Sequence, residues 1–400
     1  MVRHTARRRV AHDGGVDTWR LGRRPALDGL RGVAILLVVA CHAGRGLTGA
    51  GIEGVMVFFV LSGFLITSLL LEEHAHSPIS LRAFYLRRAR RLFPALAVVV
   101  VLVLVLGLWL ETGVGGGDLV SIVFYVSNWY QVGHPTINAL SQTWSLAIEE
   151  QFYLVWPVVL IAAMRGGRRR LQRVAVMGAA GSFLLMAWGV ASGHEVALAR
   201  LDVGAPALMT GCALAAWMHS REEGGGSNLL ATLGLLALVP LAIAWPGWGA
   251  RLALQIVTPM ATAVVIWSSV QRVEVRLLCT RWLRWVGQRS YAIYLWHFPI
   301  LWIGERYFRG ALPVAVEVMC AFALAELSWR FVESPVMRSA RDADRLVAAP
   351  GQVPVARDPH VERARLTSRL TSMRGRRGTA DAQPLLRSPD TSEDWLTPGT

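Results

Sequence analysis

Apolar segments long enough to cross a bilayer recur along this 400-residue chain. A helix needs about 20 consecutive apolar residues to span the hydrocarbon core. Segments of that kind lie at 26–44, 52–71, 92–110, 140–164, 172–192, 202–218, 228–246, 250–270, 290–308 and 312–332. Charged residues make up only 17% of the chain, whereas soluble domains carry about a quarter. The sequence therefore predicts an all-α, polytopic membrane helix bundle with about ten transmembrane helices.

The arginines between these segments predict the orientation of the bundle. Cytoplasmic loops of membrane proteins are enriched in Lys and Arg. Loops 72–91, 165–171 and 271–289 are rich in Arg, and they lie on one side only if segment 118–131 does not cross. We therefore expect both termini in the cytoplasm. Segment 118–131 is then a re-entrant or interfacial piece, which is tolerated where protein or a cavity surrounds it.

The remaining composition predicts the domain organisation and excludes some partners. Residues 1–25 form a basic cytoplasmic tail without the apolar core of a cleavable signal. Residues 26–337 form the membrane domain, and the polar residues 338–400 form a cytoplasmic tail predicted to be disordered. The net charge of +14 comes from loop arginines, so the expected partner is the lipid bilayer and not nucleic acid. The four cysteines have no metal-binding spacing, and no metal is expected.

The first apolar segment contains two ionisable side chains, Arg31 and His42. Eleven residues of helix return to within about 20° of the starting face and rise about 16 Å. Both side chains therefore share one face of the helix. Ionisable groups at membrane depth usually mark a functional site, so His42 is a candidate catalytic base. The alternatives are an interfacial histidine and an arginine that extends to the cytoplasmic boundary.

Two further apolar segments carry polar side chains that need partners. Glu149 and Glu150 are adjacent and point about 100° apart, so one can face a cavity while the other contacts a neighbouring helix. Glu149 and His42 would form a general-base pair if the fold brought them together. Ser62 lies in a Gly- and Phe-rich segment and is either a nucleophile or, more simply, a helix-packing serine.

An arginine cluster precedes the third apolar segment. Arg88 and Arg91 stand at its cytoplasmic mouth. Guanidinium groups match phosphate oxygens in geometry and charge, which suggests a phosphate clamp. The same arginines could serve only to anchor the topology, and spacing does not separate the two readings.

Six short motifs occur in a fixed order: Arg31-x10-His42, residues 58–64, Arg88-Ala89-Arg90-Arg91, residues 144–153, residues 290–297 and residues 333–335. Together they resemble the acyltransferase 3 family of integral-membrane O-acyltransferases, over about residues 25–337. The resemblance implies transfer of an acyl group, usually acetyl, from cytoplasmic acyl-CoA to a hydroxyl of an envelope glycan, a glycolipid or a glycosylated natural product. Acyl-CoA is then a co-substrate, and no tightly bound cofactor is implied. The resemblance also implies a multi-pass protein of a bacterial plasma membrane.

The predicted site combines these residues. His42 acts as general base, Glu149 orients or stabilises its imidazole, and Arg31 contacts the donor arm or the developing charge. Arg88 and Arg91 hold the CoA phosphates. The residues Ser62, Trp144, Tyr294 and His297 are assigned to substrate contact or helix packing. A covalent relay through His42 or Ser62 is the less favoured variant.

Two other classes of protein could use the same residues. Intramembrane His, Glu and Arg also serve proton relays and anion paths, so the alternative is a proton-coupled transporter or exporter of a small anionic or glycosylated compound. A non-catalytic subunit of an envelope assembly is a third class. A covalently acylated product would distinguish the enzyme from both.

Overall fold

The computed structural model describes residues 21–22, 24–44, 50–192, 201–219, 227–243, 247–271, 275–308 and 313–339. These residues all belong to one compact unit, Met1–Ala340. The predicted tails, 1–25 and 338–400, fall almost entirely outside the described residues, so their predicted character stays a prediction.

Every regular element in the described residues is a helix. The helices are α1 (Pro25–Ala43), α2 (Ala50–His76), α3 (Leu81–Leu106), α4 (Gly116–Val123), α5 (Ser127–Gly133), α6 (Thr143–Met164), α7 (Arg168–Ser192), α8 (Leu201–Met218), α9 (Asn228–Ile243), α10 (Gly247–Val270), α11 (Arg281–Gln288), α12 (Ser290–Tyr307) and α13 (Val314–Ser328). A π-helical turn, Trp329–Glu333, follows α13. The all-α prediction is confirmed.

Five of the described helices are long and apolar enough to cross a membrane. They are Pro25–Ala43, Gly51–His76, Leu81–Leu106, Thr143–Met164 and Arg168–Gly189, and shorter apolar helices lie at Gly204–Met218, Asn228–Leu238 and Leu254–Val270. Helix α3 shows which environment suits them. Only 22% of its span is buried, and Val101 and Val105 are about half exposed. Such a continuous apolar surface is unfavourable in water and favourable against lipid.

Two short helices occupy segment 118–131, which is predicted not to cross the membrane. Helix α4 has 8 residues and α5 has 7, far fewer than the roughly 20 that a crossing requires. The segment is held to its surroundings by polar contacts: Asn138 donates to Asp118 over 2.8 Å, and Gln151 of α6 donates to the carbonyl of Tyr125 over 2.7 Å. One further helix, α11, lies within segment 271–289, which the sequence predicts to be an Arg-rich loop.

Small residues allow two helices to meet closely at the centre of the bundle. A Cβ built on Gly63 of α2 would lie 2.0 Å from the carbonyl oxygen of Leu208 in α8. A Cβ on Gly211 of α8 would lie 2.1 Å from the carbonyl oxygen of Val60. Only glycine permits this approach, because any side chain would overlap backbone atoms. The crossing fixes the position of Ser62, which precedes Gly63.

Contacts at the helix ends give the relative directions of the helices. The amide of Leu21, just before α1, donates to the Glu72 carboxylate near the end of α2, so α1 and α2 are antiparallel. Asp28 at the start of α1 accepts from Gln288, just before α12, and His42 near the end of α1 packs against His297, further along α12. Tyr291 at the start of α12 donates to the carbonyl of Leu92 in α3, and Arg306 at the end of α12 pairs with Glu111, just after α3. Helices α1, α3 and α12 therefore run in the same direction.

Candidate active site

A cavity of about 100 Å³ lies where α1, α2, α3, α6 and α12 meet. Its lining residues are Arg31, Val55, Phe58, Phe59, Ser62, Arg88, Arg91, Leu92, Ser145, Leu146, Glu149, Tyr153, Ser290, Tyr291 and Tyr294. The motifs that lie far apart in the sequence thus converge on one space. Six of the nine residues singled out by the sequence are among these: Arg31, Ser62, Arg88, Arg91, Glu149 and Tyr294.

Three arginines give this cavity its positive character. Arg88 already has partners within the protein. Its Nη2 pairs with Oε1 of Glu150 at 2.9 Å, and its guanidinium lies 3.3 Å from the ring centroid of Tyr153. Arg31 and Arg91 differ, because among the described residues neither has a hydrogen-bond or ion-pair partner. Two unpaired guanidinium groups beside one cavity favour binding of an anion there.

Glu149 supplies a carboxylate to the same cavity. Its Oε1 accepts hydrogen bonds from the Ser62 hydroxyl and, over 2.6 Å, from the Tyr153 hydroxyl. Both donors are buried. The neighbouring Glu150 turns to Arg88 and does not line the cavity. The two adjacent carboxylates therefore have different surroundings, as about 100° of helix rotation requires.

His42 lies outside this cavity, near the opposite end of α1 from Arg31. Its Nδ1 is 2.9 Å from the carbonyl oxygen of Val38. A carbonyl can only accept, so Nδ1 carries the hydrogen and Nε2 of the neutral ring keeps its lone pair. The side chain is exposed. This tautomer leaves Nε2 available to take a proton.

The ring beside His42 is a second histidine and not a carboxylate. The ring centroids of His42 and His297 are 5.2 Å apart, and Phe298 lies 5.0 Å from His42 on an edge-to-face contact. The hydrogen bonds of Glu149 go instead to Ser62 and Tyr153. The structure thus does not bring Glu149 directly to His42, because the parallel packing of α1 and α12 sets His297 at that level.

The other predicted residues have structural partners. His297 is fully buried, and its Nδ1 lies 2.7 Å from the carbonyl of Tyr294, while its Nε2 is buried without a hydrogen-bond partner among the described residues. The Tyr294 hydroxyl donates to the carbonyl of Gln142 over 2.7 Å and contacts the Ser145 hydroxyl at 2.6 Å. Trp144 is buried in the first turn of α6.

Several residues of the site were not predicted from the sequence. Tyr153 is the clearest case, since it lies one helical turn after Glu149 and so shares its face. Tyr291 lines the cavity and donates to the carbonyl of Leu92 over 2.8 Å, which ties α12 to α3. Glu53 of α2, outside the cavity, was not predicted either: it is a buried carboxylate with both oxygens unpartnered in the described part of the chain. It is the second residue of the predicted segment 52–71, and a single acidic residue at the end of an apolar segment does not by itself indicate a function.

Comparison with known proteins identifies relatives. A family of the acyltransferase 3 type, described as an acyltransferase domain, matches residues 24–326. Peptidoglycan O-acetyltransferase OatA of Listeria monocytogenes is 30% identical over 358 residues, which are 80% of this chain and 57% of OatA. YrhL of Bacillus subtilis is 32% identical over 347 residues, 78% of this chain and 54% of that protein. The chain thus spans about half the length of these curated relatives. No solved structure matches it.

Proposed function

Because this chain belongs to the acyltransferase 3 family, we propose that it is a membrane O-acyltransferase that moves an acetyl group from acetyl-CoA to a hydroxyl group of a cell-envelope glycan. The cavity with two unpaired arginines is the observation that carries the proposal. A glycan acceptor is supported by the printed name of OatA, a peptidoglycan O-acetyltransferase. Glycolipids and glycosylated natural products are the other acceptors to be tested.

The donor binds, in this proposal, at the cavity between α1 and α3. Pockets for drug-sized ligands measure about 300–1,000 Å³, so a cavity of about 100 Å³ holds only part of the donor, and the acyl end extends beyond it along α1 to His42. Arg31 and Arg91 have free guanidinium donors for the phosphates. Arg88, already paired with Glu150, holds Tyr153 and contributes charge. Cytoplasmic acyl-CoA would then enter from the Arg-rich side.

The proton chemistry is assigned to His42. Its Nε2 removes the proton of the acceptor hydroxyl, the resulting oxygen attacks the thioester carbonyl, and the CoA thiolate leaves. His297 stands next to this ring and is the group placed to hold its orientation. Glu149 fixes the hydroxyls of Ser62 and Tyr153 beside the donor in the cavity. Acyl transfer by way of Ser62 remains the second route, and Ser62→Ala separates the two.

The topology is part of the proposal. Ten apolar helices cross the membrane, α4 and α5 do not, and the termini face the cytoplasm of a bacterial cell. The hydrogen bond of Arg168, at the start of α7, to the carbonyl of His219, just after α8, supports a shared side for these ends. With the native cysteines replaced, a cysteine at Arg168 should be labelled only from the cytoplasmic side. Labelling from outside would contradict the topology.

Activity is tested with the purified full chain in lipid vesicles. Radiolabelled acetyl-CoA and peptidoglycan fragments should give an ester-linked acetyl product, which is released by mild base. A panel of glycolipid and glycosylated acceptors compares the other classes. Proton-driven flux of a small anion without covalent product would favour the transporter and overturn the enzyme proposal.

A further inference from the structure

A line of three rings connects the donor cavity with His42. Tyr294 lines the cavity, and its ring centroid lies 5.4 Å from that of His297. The ring centroid of His297 lies in turn 5.2 Å from that of His42. Tyr294 is 7% exposed and His297 has no exposed surface. The space between the cavity and His42 along α12 is therefore filled by these two side chains.

The face of α1 that joins Arg31 to His42 is closed in the same way. Ile35 and Val38 lie between the two ionisable residues, and all four fall within a sector of about 60° on the helix. Ile35 has no exposed surface and Val38 is 1% exposed. The cavity consequently ends before it reaches His42, and the side chains that close it belong to α1 and α12.

The side of α1 that meets α2 offers no other route from the cavity to His42. A Cβ on Gly54 of α2 would lie 2.5 Å from the carbonyl oxygen of Ala34 and 2.7 Å from a methyl group of Val38. The two helix backbones are thus in direct contact, and a change of rotamer cannot separate them. Between α1 and α12 the rings of Tyr294 and His297 fill the space, and side chains can change rotamer.

The chemistry proposed for His42 needs the thioester beside its ring. His42 takes the proton of the acceptor hydroxyl while the oxygen of that hydroxyl attacks the thioester carbonyl, so the reacting groups have to be in contact. The donor phosphates are assigned to Arg31 and Arg91, and Arg31 lies about 16 Å from His42 along α1. The extended pantetheine arm of CoA is long enough to span this distance. Its route leads through the space that Tyr294 and His297 occupy in the structure.

His297 carries a hydrogen-bond acceptor on this route that has no partner in the protein. Its Nδ1 lies 2.7 Å from the carbonyl oxygen of Tyr294 and 3.1 Å from that of Ile293, so Nδ1 carries the hydrogen and Nε2 the lone pair. Because Nδ1 faces its own helix, Nε2 points away from it. Nε2 is buried and has no hydrogen-bond partner among the described residues. A buried acceptor without a donor is unfavourable, so this nitrogen indicates a ligand that supplies an N–H or O–H group.

The pantetheine arm carries such a donor at the required place. Its last amide group is joined to the sulfur by a short ethylene link, so an amide N–H lies close to the thioester wherever the thioester binds. With the sulfur beside His42, this N–H is at the level of the adjacent His297 ring. A lipid acyl chain has no donor of this kind, so the buried nitrogen favours the polar arm of the donor as the occupant of the route.

We propose that the pantetheine arm of acyl-CoA runs between α1 and α12, and that its last amide N–H donates to Nε2 of His297. The Tyr294 ring, which closes this route in the structure, moves aside when the arm enters. Its closed position is held by the Tyr294 hydroxyl, which donates to the carbonyl of Gln142 over 2.7 Å and contacts the Ser145 hydroxyl at 2.6 Å. This inference rests on the proposed function, since it takes acyl-CoA as the donor. His297 is then a positioning residue for the thioester.

The hydrogen bond to His297 is tested with two donors. Acetyl-CoA is compared with an analogue in which an ester oxygen replaces the N–H of the last amide, using the full-length protein in vesicles. The unmodified protein should use the analogue about tenfold less efficiently in kcat/KM, because the buried acceptor loses its donor. In His297→Leu, which has no acceptor nitrogen, the two donors should be used equally well. The unreactive S-ethyl thioethers of both donors give the same comparison by binding, which decides the case if His297→Leu does not turn over.

Tyr85→Phe is the matched control for the donor preference. The Tyr85 hydroxyl donates to the carbonyl of Leu154 over 2.9 Å, and Tyr85 does not line the cavity. This variant should keep the preference for acetyl-CoA over the analogue. Equal use of both donors by the unmodified protein overturns the contact with His297, and so does a preference of unchanged size in His297→Leu. Absence of acetyl transfer from acetyl-CoA by the unmodified protein would instead contradict the proposed function.

The closure by Tyr294 is tested by hydrolysis of acetyl-CoA in the absence of an acceptor, with water in place of the acceptor hydroxyl. Tyr294→Phe keeps the ring and removes the hydroxyl that binds Gln142 and Ser145, so the route opens more readily. Hydrolysis should rise about two- to tenfold, as expected for the loss of an ordinary hydrogen bond. Ser145→Ala removes one of the two partners and should give a smaller rise, while Tyr85→Phe should leave hydrolysis unchanged. Unchanged hydrolysis in Tyr294→Phe, or an equal rise in Tyr85→Phe, overturns the closure.

Discussion

Glu149→Gln separates the role of the cavity carboxylate from that of its neighbour. Glu149 accepts two hydrogen bonds through one oxygen, from Ser62 and from Tyr153. Glutamine keeps the size and an accepting oxygen but loses the negative charge. It also brings an amide group that needs acceptors in a cavity containing three arginines. The substitution therefore weakens both hydrogen bonds without opening a void.

The size of the effect follows from these two bonds. A hydrogen bond to a charged group contributes about 1 kcal/mol more than one between neutral groups. Two bonds give about 2 kcal/mol, and each 1.4 kcal/mol is a factor of about ten. We expect kcat to fall about 30-fold, because Ser62 and Tyr153 border the bound donor and position it for transfer at His42. The KM for acyl-CoA should not rise, since the cavity becomes more positive.

The assay is steady-state acetyl transfer in vesicles, with protein amount and melting temperature measured in parallel. Glu150→Gln is the matched control, because it makes the same change at the adjacent carboxylate, which pairs with Arg88 and does not itself line the cavity. It should lower thermal stability and change kcat only mildly. A larger kcat loss in Glu150→Gln than in Glu149→Gln, in variants that insert equally well, would refute the assignment of Glu149 to the site.

Three further predictions concern the base, the donor and the helix crossing. His42→Ala should lower the rate by about 10²–10⁴ without preventing insertion, and near-normal turnover of the purified variant would make His42 structural. Arg31→Ala and Arg91→Ala should each raise the KM for acyl-CoA about tenfold or more, with partial rescue by Lys; an unchanged donor KM would contradict phosphate binding. Gly63→Ala should destabilise the protein by about 1–3 kcal/mol through overlap with α8, seen as a lower melting temperature. Gly181→Ala, which meets open space, is the control and should leave it unchanged.

The long helices were predictable because an apolar segment that is long enough to span the hydrocarbon core of a bilayer has to be helical there. Each of the ten predicted segments overlaps a described helix, as 26–44 overlaps α1 and 290–308 overlaps α12. Segment 118–131 was separated from them by its length and polarity. Helix α11 was missed for the same reason, since its 8 residues include two arginines and carry no span signal. The length of an apolar segment therefore predicts membrane-spanning helices well and does not predict short helices such as α11.

The partners within the site were not predictable from local pattern. Helical periodicity placed Arg31 and His42 on one face of α1, yet it says nothing about which distant helix faces them. His297, the neighbour of His42, lies in α12. The pairing depends on the parallel packing of α1 with α12, which is a long-range property. Motif order indicated that these segments belong together, and only the packing shows which residues touch.

The charges around the cavity explain why its arginines have two different roles, although the sequence does not distinguish them. Glu150 neutralises Arg88, and the ring of Tyr153 covers it. Glu149 is then the one carboxylate among the described lining residues of the cavity, beside Arg31 and Arg91. Two positive charges against one leave the site positive before any substrate enters, which in a low-dielectric bundle favours an anionic ligand strongly. The free pair, and not the whole cluster, is therefore where the phosphates of acyl-CoA should bind. A donor stripped of its phosphates should consequently lose affinity in the unmodified protein but lose little further in Arg91→Ala.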